Sequence, residues 1–312
     1  MKFYMAPYTW AETAEDIKAA GHEQVDEMSQ AEVFVFTSSN PDDFPDSLPE
    51  NIQFVQHCFT GVEELIKRGF ITPDGIPWAN TAGSFATPVA EIGLSLLLAQ
   101  MHRQKEIARA ESFDVRDHMD RVQQWLYANP HRGKKQVAIF GAGGIGQEFM
   151  RLVRPFDVDI VAVNRSGREV EGADKTLAMA DAERLWETAD IVVLALPLTD
   201  ETEGLVDASK FAAMKNTALV VNIGRGRLIN TEDLVEALDN GDIAGAALEV
   251  TDPEPLPDDH PLWQMDSCTI SPHIAATYRV AKLHVGATAA ANMDAFERGE
   301  KMPTQIDPQA GY

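Results

Sequence analysis

The stretch GAGGIG at positions 141–146 constrains the fold of this chain more than any other. It follows QVAIF (136–140), which reads as a buried strand, and opens QEFMRLVRPF, which reads as a helix. A second apolar strand, DIVAVN, ends at Asn164, about twenty residues further on. Glycines in this spacing on a strand–turn–helix connection have distinct tasks. Gly141 permits the tight turn, Gly143 lets the backbone approach a pyrophosphate, and Gly146 lets helix and strand pack closely. The helix start at Gly144 and Ile145 offers free N–H groups and the positive end of the helix dipole. A glycine-rich turn without a ligand is the alternative; the strand before and the helix after weigh against it.

The same alternation continues. DIVVLALPL (190–198), TALVVNIG (217–224), AGAALEV (244–250) and SCTISP (267–272) read as strands, and ADAERLWETA, SKFAAMK and TEDLVEALDNG as helices, the last capped by Thr231 or Asn230 and stopped by Gly241. Strands this continuously apolar and β-branched belong to a parallel sheet covered on both faces. The first 85 or so residues show a second, smaller alternation: MKFYMAP, AEVFVFT and NIQFVQHC as strands, GVEELIKRG as a helix ended by Gly69, and IPWANTAG as strand and turn. PVAEIGLSLLLAQMHRQ (88–104) is apolar nearly all round, so it reads as a buried helix with Pro88 at its first position. Residues 112–134 read as helix plus connector. An Ala-rich helix over about 277–298 is long enough to return to the first domain.

Ligands of open α/β sheets bind beyond the carboxyl ends of the strands. Three polar residues stand there. Arg225 follows one strand in NIGRGR, Glu254 follows the next in TDPEPLP, and His273 follows the last in SPHIA. A guanidinium suits the carboxylate and polarised carbonyl of a 2-keto acid. An imidazole titrates near neutrality and can donate a proton. A carboxylate beside it would hold its orientation and raise its pKa. Singly each has an ordinary reading: a turn arginine, one acid among many, a satisfied histidine. Jointly, beside a dinucleotide turn, they read as one site. His260 in DHPLW is the nearest rival histidine and reads as a cap or packing residue.

VAVNRSGR (161–168) lacks the acid that would bond an adenosine ribose 2′-hydroxyl. Asn164 does not repel a 2′-phosphate, Ser166 can donate to one, and Arg165 and Arg168 can pair with one. NADP(H) is therefore the expected cofactor. NAD(H), with both arginines as solvated loop residues, is the alternative.

Net charge is −23, so the surface repels nucleic acid and acidic membranes, and neither is expected as a partner. No apolar run approaches the roughly 18 residues of a membrane span, and the N-terminus has no secretory h-region. Cys58 and Cys268 stand far apart among apolar residues and read as reduced buried thiols of a cytoplasmic protein. No Cys/His spacing predicts a zinc site, and no metal is expected.

GAGGIG, LPLTDET, VNIGRGRLI, EPLPDDHPLW and SPHIA, in this order, resemble the D-isomer-specific 2-hydroxyacid dehydrogenases over residues 50 to 300 or so. The resemblance implies a doubly wound Rossmann-type domain (91–281) inserted into a smaller flavodoxin-like α/β catalytic domain (1–90 and 282–312), with the active site in the cleft and a homodimeric assembly. It implies Arg225, Glu254 and His273 as the catalytic arginine, glutamate and histidine. It implies cofactor contacts from the glycine turn, Asn164, Arg165, Ser166, Arg168, Leu196, Pro197, Ile223, Gly224 and Glu249. It also implies a D-2-hydroxy acid as product. FTGVE (59–63) is similar to the family loop that holds the substrate carboxylate, so Phe59, Thr60 and Gly61 are the expected substrate contacts. Phe59 and Glu63 depart from that loop's usual GxGxD, and Glu249 stands where the family usually has Asp. The chain length, the NRS stretch and the final GY are most similar to the bacterial NADPH-dependent glyoxylate/hydroxypyruvate reductases, and the lack of an extension after residue 312 counts against the larger phosphoglycerate dehydrogenases. A corepressor-like nucleotide sensor, known among relatives, is the alternative of another class.

Overall fold

Residues 1–131 and 133–311 are described by a computed structural model. Arg132, in the expected connector, and Tyr312, the end of the GY tail, lie outside the described residues. The chain divides into two compact units, residues 1–85 with 276–312 and residues 86–275. The breaks fall five and six residues before the boundaries expected from sequence. At the first break, the helix Ala86–Met101 goes wholly with the second unit. It begins two residues before Pro88 and buries Val89, Ala90, Gly93, Leu96 and Leu97.

In the first unit, strands β1 (Lys2–Ala6), β2 (Glu23–Gln24), β3 (Val33–Phe36), β4 (Phe54–His57) and β5 (Trp78–Ala79) form a parallel sheet in the order β2-β1-β3-β4-β5. That is the flavodoxin-like order. The run VFVF of β3 is buried throughout, and Phe34, Phe36, Val55, Trp78 and Ile306 share one core. The expected Ala-rich helix is two helices, Tyr278–His284 and Gly286–Glu297, parted at Val285. The second packs so closely on Ala11–Ala19 that a Cβ on Gly286 would lie 2.5 Å from the Asp16 Cβ.

In the second unit, β6 (Gln136–Phe140), β7 (Asp159–Asn164), β8 (Lys175–Ala178), β9 (Ile191–Leu194), β10 (Leu219–Asn222), β11 (Gly245–Leu248) and β12 (Cys268–Ile270) form a parallel sheet in the order β12-β11-β10-β9-β6-β7-β8. The order reverses between β6 and β9, the switch point of a Rossmann-type sheet. β8 has no counterpart in the sequence reading, because KTLA is a half-exposed edge strand with no apolar run. ADAERLWETA is helical only over Leu185–Thr188, after a 3-10 turn at Met179–Asp181. Asn230, not Thr231, caps the helix Thr231–Asn240. Its Oδ1 accepts from the Asp233 N–H at 3.1 Å, and Gly241 ends the helix at φ 72°.

Both cysteines are buried and unpaired, and burial pushes both thiols up in pKa. Among the described residues no helix is long and apolar enough to cross a membrane.

Candidate active site

The register of the larger sheet decides what stands together. The ladders place Phe140, Val163, Leu194, Asn222, Leu248 and Ile270 level across it. The residues that follow each of them therefore emerge along one edge. The glycine turn, Asn164, Leu196, Arg225, Glu249 and His273 all lie on these continuations.

At the switch point, Gly141 has φ 99°, and a Cβ there would lie 2.5 Å from the Ala195 carbonyl. A Cβ on Gly146 would meet the Gly141 carbonyl oxygen at 2.1 Å. These two glycines are required by the protein's own packing. Gly143 differs: it and Gly144 are exposed, and no heavy atom lies within 4 Å of a Cβ placed on Gly143. The helix Gly144–Val153 begins there, and the first-turn N–H groups of Gly144, Ile145 and Gly146 have no intrahelical acceptor. Open space before unpaired donors at a positive helix end fits a pyrophosphate.

Asn164 organises the loop that follows β7. Its Oδ1 accepts from the N–H groups of Ser166 and Arg168, each at 3.1 Å, and its Nδ2 donates to the Arg168 carbonyl at 2.6 Å. An aspartate could make the two acceptor bonds but not the third. Arg165, Ser166 and Arg168 are exposed on this closed loop, and no carboxylate among the described residues pairs with either arginine. Two unneutralised guanidinium groups on a chain of net charge −23 make a local site for an anion.

Near β10 the backbone runs close to its neighbours. A Cβ on Gly224 would lie 2.8 Å from the Leu196 carbonyl oxygen, and one on Gly226 would lie 1.8 Å from the Thr251 carbonyl oxygen. The turn carrying Arg225 is thus pressed between the continuations of β9 and β11. Asn222, buried at 1% exposure, shapes it. Its Nδ2 donates to the Arg225 carbonyl at 2.8 Å and its Oδ1 accepts from the Gly224 N–H at 3.1 Å. Sequence reasoning missed Asn222, although a lone amide closing the apolar strand LVVN was the available signal. Arg225 also donates from Nη1 to the Gly224 carbonyl at 2.9 Å. Ile223, beside it, is buried against Gly93 of the helix Ala86–Met101.

Glu254 and His273 meet directly, with Oε1 2.5 Å from Nδ1. The hydrogen bond to Glu254 raises the His273 pKa. Partial burial opposes it, the Glu254 charge adds to it, Arg225 lowers it and Glu249 raises it again. For Glu254, burial pushes the carboxyl up, but His273, the Thr251 backbone and Arg225 outweigh it and hold the pKa below the ordinary value. His273 has φ 51°, left-handed backbone that is uncommon outside glycine. Its N–H donates to the Glu249 and Ser271 carbonyls, each at 3.0 Å. His260 is elsewhere, capping the turn Pro261–Trp263 through Nδ1.

Glu249 is 2% exposed. Its Oε1 accepts from the Ala275 N–H at 2.6 Å, while its buried Oε2 has no hydrogen-bond partner among the described residues. An unpaired buried carboxylate oxygen calls for a donor, and the amide of a nicotinamide is a group of that kind.

The expected substrate loop lies in the first unit, after β4. The Thr60 carbonyl accepts from Asn80 Nδ2 at 3.0 Å, and Gly61 forms a backbone hydrogen bond with the buried His57 ring. Phe59 is locked edge-on against Trp10 and Tyr278, with ring centroids 5.8 and 5.6 Å away. The departure from the usual loop is therefore an aromatic cluster, not a disordered side chain.

The family model for the D-isomer specific 2-hydroxyacid dehydrogenase, NAD binding domain, matches residues 94–275. An uncharacterised protein of Corynebacterium melassecola is 49% identical over 312 residues, the whole length of both chains. The glyoxylate reductase/hydroxypyruvate reductase of Mus musculus is 34% identical over 263 residues, 84% of this chain and 79% of the relative. Among solved structures, a D-isomer specific 2-hydroxyacid dehydrogenase from Xanthobacter autotrophicus, in complex with NADPH and MES, superposes with a TM-score of 0.79 at 24% identity, over 100% of this chain and 98% of that one. This last likeness concerns the fold.

Proposed function

The chain belongs to the D-isomer specific 2-hydroxyacid dehydrogenase family, and on that premise we propose that it reduces a small 2-keto acid of the glyoxylate or hydroxypyruvate type to a D-2-hydroxy acid with NADPH. The observation that carries the chemistry is the His273–Glu254 pair on the sheet edge that also bears Arg225. Glu254 occupies Nδ1 and keeps the imidazole charged, so Nε2–H is the proton to be given to the carbonyl oxygen. Arg225 binds the substrate carboxylate and polarises the carbonyl. The nicotinamide, when bound, supplies the hydride. The glycine turn would hold its pyrophosphate, Leu196, Pro197, Ile223 and Gly224 would line the site beside it, and Glu249 Oε2 would accept from its amide. Phe59, Thr60 and Gly61 would contribute to the substrate pocket.

The preference for NADPH rests on the Asn164-closed loop and its two exposed arginines, with which no carboxylate among the described residues pairs. Steady-state assays of glyoxylate and hydroxypyruvate with both cofactors test the proposal. Wild type should favour NADPH, Arg165→Ala with Arg168→Ala should raise the KM for NADPH about tenfold or more and leave NADH unchanged, and Arg225→Ala should lose several orders of magnitude in kcat/KM. No turnover on any 2-keto acid, with NADPH still bound, would favour a nucleotide sensor. Equal or better kcat/KM with NADH would refute the 2′-phosphate site.

We also propose a cytoplasmic homodimer. Supporting it are the unpaired cysteines and the surface at Phe113. Phe113 is 88% exposed beside an open hollow of about 560 Å³ lined by Ile107, Val115 and Met119. Light scattering that gives one chain's mass at micromolar concentration would rule the dimer out.

A further inference from the structure

The first unit gathers four polar groups from three distant stretches of chain, none of which the proposed reaction uses. His22 follows the helix Ala11–Ala19, Met1 starts the chain, and Asp294 and Glu297 lie three residues apart on the helix Gly286–Glu297. One ligand atom from each of His22, Asp294 and Glu297 fits within 4.8 Å of the others. The His22 side chain is only 2% exposed, whereas those of Asp294 and Glu297 are 43% and 59% exposed, so the cluster is rooted in the interior and reached from solvent.

The ring nitrogens of His22 distinguish this cluster from a plain surface ion pair. Nδ1 lies 3.2 Å from the Met1 nitrogen. Nε2 lies 3.2 Å from Asp294 Oδ1, yet it makes no hydrogen bond and is a buried polar atom without such a partner. Nature rarely leaves a buried ring nitrogen so. A nitrogen and a carboxylate oxygen at this separation, not aligned for a hydrogen bond, match two ligands of one cation. Bonds of about 2.0–2.1 Å at tetrahedral angles place ligand atoms roughly 3.3 Å apart. The charges point the same way. Two carboxylates face one ammonium group, whose distance to Glu297 Oε1 is 3.6 Å, while Arg298, which feels the Asp294 charge, is paired with Glu300.

We propose that His22 Nε2, Asp294 and Glu297 bind a divalent transition-metal ion of the zinc class, with water completing the shell. A mixed nitrogen and oxygen set suits zinc, cobalt or nickel over calcium or magnesium, which take oxygen ligands. The imidazole would bind through Nε2, with Nδ1 turned to the Met1 nitrogen. The ion would brace the turn between the helix Ala11–Ala19 and β2 against the helix Gly286–Glu297, so it would stabilise the first unit by mass action. This departs from the expectation of no metal: the ligands are remote in sequence and meet only in the fold, so Cys/His spacing does not register them.

The test uses the full chain without an affinity tag and with its own N-terminus, titrated with Zn²⁺ by calorimetry and with Co²⁺ by visible absorption. One equivalent should bind, with a Co²⁺ band of the intensity typical of four- or five-coordination and a rise in unfolding temperature. Asp294→Asn and His22→Gln should each weaken binding about tenfold or more and abolish the temperature rise. Asp294 is half-exposed, so its variant keeps the test decisive if His22→Gln fails to fold. Absence of binding, or equal binding by wild type and Asp294→Asn, would overturn the proposal. The second outcome would assign the affinity to other acids of the surface.

Discussion

His273 is held by three separate contacts: its backbone N–H by the Glu249 and Ser271 carbonyls, and its ring by Glu254. The local conformation at φ 51° costs on the order of 1 kcal/mol, and this bracing offsets it. Because Glu254 raises the histidine's pKa, the proton is retained to higher pH, and reduction falls only as pH rises through that raised value. Glu254→Gln removes the charge that supports the imidazolium. The alkaline limb of the kcat/KM profile for keto-acid reduction should therefore move to lower pH, with a loss of turnover across the range. An unmoved limb would show that Glu254 does not govern the titrating group. At this scale the identities of Arg225, Glu254 and His273 were legible as polar residues at strand ends. The role of Asn164 was legible only in part. Its lack of charge could be read from sequence, but its closure of the loop through Arg168 needed coordinates.

The strand–turn–helix element around Gly141–Val153 separates two kinds of glycine that look alike in a motif. Gly146 is occupied on its Cβ side by the Gly141 carbonyl at 2.1 Å, so Gly146→Ala must shift backbone. It should lower stability by about 1–3 kcal/mol, read by urea unfolding. Gly143 faces open space, so Gly143→Ala should leave the urea midpoint unchanged and weaken NADPH binding in a fluorescence titration. Equal stability loss in both variants would contradict this division. Elements with an apolar run or a clear cap were readable from sequence. Those that failed had neither. β8 is a half-exposed edge strand, and the C-terminal helix is parted at Val285, beside Gly286, which packs closely on Asp16, a residue far away in sequence.

Over the whole molecule, the buried His57 sets an acid limit on stability. Complete burial lowers its pKa from 6.5 to about 4, and Gly61 opposes this only partly. In the unfolded chain it protonates near 6.5, so between pH 6.5 and 4 the unfolded state binds more protons and stability falls as pH falls. The shift corresponds to about 3 kcal/mol by the bottom of that window. Urea unfolding of the first unit from pH 7 to pH 4 should show a steeper loss for wild type than for His57→Gln, and parallel slopes would refute the assignment. The sequence by itself determined the fold class, the dinucleotide turn and the three residues proposed for catalysis, because periodicity, glycine spacing and polar strand ends are local properties of the chain. The tertiary structure alone decided the level register that aligns six strand ends, the clamp of Glu249 on Ala275, the aromatic lock on Phe59 and the His22–Asp294–Glu297 cluster. Each of these depends on contacts between residues far apart in sequence, which no local pattern encodes.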